Sequence, residues 1–459
     1  MAQLDLVIRN GRVVTESMDT RTDVGISDGK VVQIGGDMQG EKEIDAGGKL
    51  VIPGGIDAHV HVTSQPGKPE PRWVDDFTSG SAAALAGGIT TIGNMTQVTP
   101  GETPLEGLAR EAEQAGREAI ADVLLHPIFG NAGDAALADV PHLLENGHNS
   151  VKFFMSTPTF DAQSENYLEL VRRAGNEQLI TLIHCEDYPL IQDATRELVA
   201  AGKSSLRHYA ESRPIVSEVV ATQRAIAFCE ATGAPVYIVH LSCERALAVC
   251  AEAQARGLPV YVETRPLYLH LTKERFEEED GAKYVGQPPL REPSDVDAIW
   301  AGIRSGAVST VCTDHAPWSL AAKLDPELSI ENLRPGTENL QVMLPMLYSE
   351  GVRTGRISLQ KMIQVLSTNA ARLFGLYPQK GTIAPGSDAD IVIFDPDLTR
   401  TITGSMLESN ADYSVFEGWE ITGWPVTTIR RGDVVFENDE MTGQPGTGIL
   451  PRRGPTMAL

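Results

Sequence analysis

Five apolar segments of this chain each read as a short strand, and each carries a side chain able to hold a metal ion. They are Val51–His61 (VIPGGIDAHVH), Ser150–Met155 (SVKFFM), Leu179–Cys185 (LITLIHC), Pro235–Leu241 (PVYIVHL) and Ala307–His315 (AVSTVCTDH). The candidate ligands are His59, His61, Lys152, His184, His240 and Asp314. A (β/α)8 barrel builds its active site from the carboxyl ends of many parallel strands. Few other folds can bring together ligands scattered this widely.

The segments between them complete the pattern. Helix-like stretches at Asp76–Ala86, Pro104–Glu118, Val140–Glu145, Glu165–Glu177, Glu218–Thr232, Arg245–Arg256 and Ser294–Ser305 alternate with strand-like ones. The strands now include Gly88–Met95, Asp122–Phe129 and Leu258–Glu263, eight in all with crossovers of helical period. Gly233 and Gly257 stand where two of the helices should close. Both ends of the chain differ in texture. Leu4–Ile8, Arg12–Val14, Val24–Ser27 and Lys30–Gly35 read as short strands, as do Asp390–Phe394, Thr427–Arg430 and Asp433–Glu437, with Asn10-Gly11, Asp28-Gly29 and Arg431-Gly432 as turns. We expect residues 1–52 and 378–459 to form one small β-sandwich and residues 53–377 to form a TIM-like (β/α)8 barrel.

At 459 residues the chain is long enough for both units. Its 62 acidic and 38 basic side chains leave a formal net charge of −24, which repels phosphate backbones and anionic lipid. Neither nucleic acid nor membrane is an expected partner. The five cysteines form no CxxC pair, no secretory leader precedes Leu4, and no apolar run reaches transmembrane length. The expected setting is the reducing cytoplasm.

His59 and His61 are two apart on a strand, so both imidazoles point to the same face and can converge on one ion. His184 and His240 each close an apolar strand, where a histidine serves as ligand or as hydrogen-bonded structural residue. Asp314 ends another strand and could equally cap a following helix. Lys152 lies among Val151, Phe153 and Phe154, where an ammonium is costly to bury. It fits a lysine paired to a carboxylate, a Schiff-base nucleophile of lowered pKa, or an amine carboxylated by carbon dioxide to give an anionic ligand. Spacing leaves all three open.

The ordered motifs IDAHVH, VKFFMS, IHCED, VHLS and CTDHAPW, with LFGLYPQKGTIAPGSDADIVIFD at Leu373–Asp395, resemble those of the cyclic amidohydrolases: hydantoinase, dihydropyrimidinase and allantoinase. The likeness covers nearly the whole chain. It implies two zinc ions per subunit, one held by His59, His61 and Asp314 and the other by His184 and His240, with carboxylated Lys152 and a hydroxide bridging them. It further implies hydrolysis of a cyclic amide C–N bond by that hydroxide, Asp314 as the catalytic proton carrier, and a homotetramer. Allantoin and cyclic imides are alternative substrates.

Dihydroorotases are similar but carry an arginine after the HxH pair, where this chain has Thr63, which argues against a substrate of that carboxylate-bearing kind. Many hydantoinases place a tyrosine five residues beyond the bridging lysine, where this chain has Thr157. Gln287 stands where they commonly have serine, and Arg334-Pro335-Gly336-Thr337 replaces an asparagine-containing loop. We therefore take Thr157, Gln287 and Thr337 as candidate substrate-binding residues, Thr63–Trp73 as a candidate rim loop, and His315 as either a structural residue or a helper to Asp314. Two other readings remain: a non-catalytic scaffold, which would lack metal, and a mononuclear deaminase, which would leave Lys152 unmodified.

Overall fold

The computed structural model describes residues 4–63 and 69–459; the middle of the expected rim loop, residues 64–68, lies outside the described residues. The centre of the chain is an α/β arrangement with parallel sheets. Strands Gly55–Val60, Ile89–Thr96 and Asp122–Pro127 pair in parallel as one sheet. Ser150–Phe154, Ile180–His184, Val236–Ile238, Val260–Thr264 and Thr310–Val311 follow as a second, again parallel and in chain order. Isolated parallel bridges join the outer strands of the two sheets on both sides, Ile128 to Lys152 and Val60 to His315. Nearly every residue of these strands is buried, as expected when helices cover parallel strands.

Local chemistry sets the helix ends. Asp76 caps Phe77–Ala86 by accepting from the Thr78 and Ser79 amides, and Thr103 with Glu106 forms a capping box at Pro104–Glu118. Gly233 and Gly257 have φ of 71° and 81°, the left-handed turn that closes helices. The helix expected over Val140–Glu145 instead runs Asp134–Asp139 and tightens to a 3-10 turn at Val140–His142. Pro141 has no amide proton to continue an α-helical ladder. A further helix, Tyr188–Ala200, lies outside the expected ones; Asp187 caps it by accepting from the Leu190 amide, and Ile191 is its buried residue.

The two ends of the chain share one sheet. Leu50–Pro53 pairs antiparallel with Ile391–Thr401, with Pro53 opposite Ile391, and strands Glu420–Arg430 and Asp433–Glu437 extend the same sheet. Leu4–Arg9, Val24–Ser27, Lys30–Ile34 and Gly40–Asp45 form a separate four-stranded sheet. Apolar side chains of both sheets, among them Ile8, Ile26, Val51, Ile391, Ile393 and Ile429, pack in one buried cluster. Between Leu50–Pro53 and Gly55–Val60 only Gly54 intervenes, and a Cβ there would lie 2.2 Å from the Thr90 hydroxyl. Such close backbone approach requires glycine.

A buried ammonium ties the end sheet to the parallel strands. Lys380, 1% exposed, donates to Asp122 at 2.7 Å and Asp390 at 2.5 Å and lies 3.1 Å from Asp388. The C-terminal tail also packs on its own chain: the Ile449 carbonyl accepts from Val123, and Gly454 donates to Gly375, each at 2.8 Å.

Candidate metal centre

The carboxyl ends of the parallel strands meet in one polar cluster. His59 and His61 leave the strand beginning at Gly55, and Asp314 follows the short strand Thr310–Val311. Asp314 Oδ1 lies 3.2 Å from His59 Nε2 and 3.0 Å from His61 Nε2. The ligand atoms of these three buried residues all lie within 4.8 Å of one another, a spacing that suits one cation. His240 adjoins His59 with ring centroids 5.5 Å apart, and His184 adjoins His240 at 4.6 Å. The four imidazoles thus form a continuous arc.

Two of these residues sit on unusual backbone. The strand expected over Pro235–Leu241 ends at Ile238, and His240 has φ of 40°; Asp314 has φ of 51°. Non-glycine residues in the left-handed region cost of order 1 kcal/mol or more and cluster at functional sites. The turn swings each side chain off the pleat. This is why those two strands stop short of His240 and Asp314.

Lys152 is fully buried, and among the described residues its Nζ has no hydrogen-bond partner. The ammonium sits 5.1 Å from the Phe154 ring centre, and burial pushes its pKa down to about 8. His61, His184 and His240 are likewise driven down by burial, with Lys152 adding to the effect, so their imidazoles are neutral donors near pH 7. Burial opposes ionisation of Asp314, but Arg265 and His59 hold it well below the usual carboxylate range. The buried orphans His61 Nδ1, His240 Nδ1 and Lys152 Nζ lie in the same cluster. Three such atoms converging in one cluster are what a bound ion and a bridging group would satisfy.

Carboxylates behind the cluster orient it. His59 Nδ1 shares a 2.8 Å hydrogen bond with Glu263, which also accepts from the His240 amide at 2.8 Å. His184 Nε2 shares another with Glu186 at 2.8 Å. Each contact occupies one ring nitrogen and leaves the other for the cluster, the arrangement that metal-binding histidines use. Glu186 is in turn gripped by both Arg213 Nε, at 2.9 Å, and Nη2, at 2.5 Å. Asp314 Oδ2 pairs with buried Arg265 at 3.0 Å. Glu263 and Arg265 follow the rule that marks the candidate ligands, charge at the end of an apolar strand, and Glu186 lies two residues beyond His184. Nothing in one sequence says which charges face inward.

A cavity of about 540 Å3 opens over the cluster, with Trp73, Phe154, Trp318 and Leu333 as its apolar walls and Gln97 and Gln287 among its polar ones. Of the three candidate substrate-binding residues, Gln287 lines this space. Thr157 accepts from the Phe160 amide and caps helix Pro158–Ala162. Thr337 is fully buried, and its hydroxyl accepts from Arg265 Nη2 at 3.2 Å. His315 Nε2 contacts Asp75 at 2.7 Å, and its carbonyl accepts from the His61 amide at 2.7 Å, so it braces the cluster from outside.

Residues 50–435 match the amidohydrolase family. A D-hydantoinase of Ralstonia pickettii is 36% identical over 458 residues, covering 98% of this chain and 99% of that protein. A solved D-hydantoinase structure superposes with a TM-score of 0.94 at 35% identity, covering 98% of this chain and 99% of the other. The dihydropyrimidinase of Brevibacillus agri NCHU1002 superposes with a TM-score of 0.92 at 36% identity, covering 99% of both chains.

The chain belongs to the amidohydrolase family. As an amidohydrolase it is a hydrolase whose His59, His61 and Asp314 form a possible metal site.

Proposed function

We propose that this amidohydrolase opens a cyclic amide by hydrolysing a ring C–N bond, as a hydantoinase or dihydropyrimidinase does, with two zinc ions and a carboxylated lysine. The observation that carries the reading is Lys152: a buried amine without a partner, amid four histidines and an aspartate. Addition of the neutral amine to carbon dioxide forms an N–C bond and releases one proton. It removes a costly buried cation and leaves an anion that bound divalent cations would favour. His59, His61 and Asp314 would hold one ion and His184 and His240 the other, with the Lys152 carbamate between them. Nitrogen and oxygen donors without thiolate suit zinc. Such a pair, when bound, supplies a lowered pKa for the attacking water and Lewis-acid polarisation of the scissile carbonyl.

The chain's own groups do the rest. Asp314, at the floor of the cavity, takes the proton of the attacking water and returns it to the leaving ring nitrogen. Arg265 keeps the carboxylate ionised at the start of that cycle. Gln287 offers an amide able to donate to and accept from the ring, and Trp73, Phe154 and Trp318 exclude water from a mostly flat substrate. Thr157 and Thr337 serve that wall by shaping its backbone.

The same reading takes the parallel strands as a closed (β/α)8 barrel over residues 53–377, supported by the bridges at both sheet edges, and the two terminal sheets as a β-sandwich over 1–52 and 378–459, supported by their shared core. It places the enzyme in the cytoplasm as a homotetramer. Five free, buried cysteines suit a reducing compartment, and among the described residues no helix is long and apolar enough to cross a membrane. Substituted hydantoins, dihydrouracil, allantoin and cyclic imides, followed by loss of ring absorbance alongside metal analysis, test the assignment. Two zinc ions per chain and turnover of one ring class are expected; metal-loaded protein that opens none of them would overturn it.

A further inference from the structure

Lys323 is 1% exposed and, among the described residues, has no carboxylate partner. Its Nζ donates to three carbonyls: Val285 at 2.7 Å, Arg334 at 2.8 Å and Gly336 at 2.9 Å. Burial and the charge of Arg265 push its pKa down. Three acceptors at these distances nevertheless need all three protons of an ammonium, since a neutral amine carries two. Charge-assisted bonds of this kind are the strong ones.

The carbonyls belong to two segments that line the cavity over the metal centre, one contributing Gln287 and the other Arg334, Pro335 and Gly336. The second segment is held almost wholly by side chains. Trp318 Nε1 donates to the Pro335 carbonyl at 2.9 Å, so three consecutive carbonyls are bound from the stretch Trp318–Lys323. Gly336 donates its amide to Val285 at 3.0 Å, and its φ of 119° with Ala316 O 2.3 Å from a would-be Cβ leaves no room for another residue. Among the described residues, no hydrogen bond or ion pair links Lys323 to the metal-ligand cluster.

We propose that Lys323 is a positioning residue for substrate binding: its ammonium sets the separation of the Val285–Gln287 and Arg334–Gly336 segments, and so the fit of the ring between them. The proposal rests on the cyclic-amide reading for its substrate and on the hydrogen bonds alone for the clamp. Separate tests follow from that division.

Lys323→Met removes the donors and keeps the length; Lys323→Gln keeps two of them. Hydrogen exchange read by mass spectrometry on metal-loaded protein should show Tyr284–Leu290 and Leu333–Glu338 exchanging about tenfold faster in Lys323→Met, with Gly55–His61 and Ile180–Glu186 unchanged. With the ring substrate found in the panel above, KM should rise about tenfold or more while kcat and metal content stay within about threefold of the parent, and Lys323→Gln should fall between. A merely structural lysine would lower metal content and kcat together, which overturns the proposal. Unchanged exchange, unchanged KM, or failure of both variants to fold overturns it too. Were the parent to open no cyclic amide, the function assignment would fail while the exchange experiment still judged the clamp.

Discussion

Replacing Glu186 by glutamine tests whether the histidine pair is a metal site with a built support. Glu186 Oε2 receives His184 Nε2 at 2.8 Å and Arg213 Nη2 at 2.5 Å, while Oε1 receives Arg213 Nε at 2.9 Å. Burial raises the pKa of the carboxylate, but Arg213 and His184 outweigh it and hold the group well below its usual range. A glutamine presents one oxygen and one NH2. If the oxygen faces His184, the NH2 meets a guanidinium N–H; if it faces Arg213 Nε, His184 loses its acceptor. Either way one buried donor is orphaned, at about 1–3 kcal/mol. Loss of such an orienting contact costs about 10–100-fold in metal affinity, which corresponds to about 1.4–2.7 kcal/mol. The assay is competition with a chromophoric zinc chelator at pH 7.5, which needs no substrate. Two binding steps are expected in the parent, with only the weaker or only one of them displaced by that factor in Glu186→Gln. Two unshifted steps would sink the argument, because His184 would then be oriented by something else or would not bind metal.

Lys152→Ala should lose turnover and its shared metals, and a short carboxylic acid should partly restore both; absence of rescue with metal retained removes the bridging role. Asp314→Ala should keep partial metal and lose several orders of magnitude in kcat, about 10² or more for the proton transfer alone, and near-parental rates would exclude it as the proton carrier. Lys380→Met should destabilise the fold by about 3–5 kcal/mol near neutral pH, the penalty for leaving buried carboxylates uncompensated, measured as a urea midpoint. In the parent, burial opposes Asp388 ionisation but Lys380 and Lys30 outweigh it, so its contribution is present above the unfolded pKa and lost as pH falls. The variant's deficit should therefore shrink on acidification as the carboxylates take up protons, and a deficit constant from pH 7 to pH 5 would refute that cause. Gly336→Ala should cost more than the roughly 1–3 kcal/mol of strain at φ of 119° alone, because its Cβ would also meet the Ala316 carbonyl oxygen at 2.3 Å, and an unchanged melting temperature would count against it.

The order of the elements and the candidate metal-holding side chains were legible in the chain itself. Alternation of apolar strands with helical periods is a local property, and a metal-holding side chain at a strand's end is visible without knowing the partner strand. The helix-closing Gly233 and Gly257 were legible for the same reason, since a left-handed closing turn is written in single residues. Tertiary structure alone decided which charges face inward. Glu263 and His59 are separated by 204 residues, and Arg265 meets Asp314 across a further strand. No period in one segment encodes a contact with another. Thr157 and Thr337 carry roles that no single segment shows: one caps a helix and the other supports Arg265. Lys323 follows Leu320-Ala321-Ala322, and nothing in that local sequence marks the lysine as buried. Only the convergence of two distant loops over it made its burial tolerable, because three backbone carbonyls replaced the water an ammonium would otherwise keep.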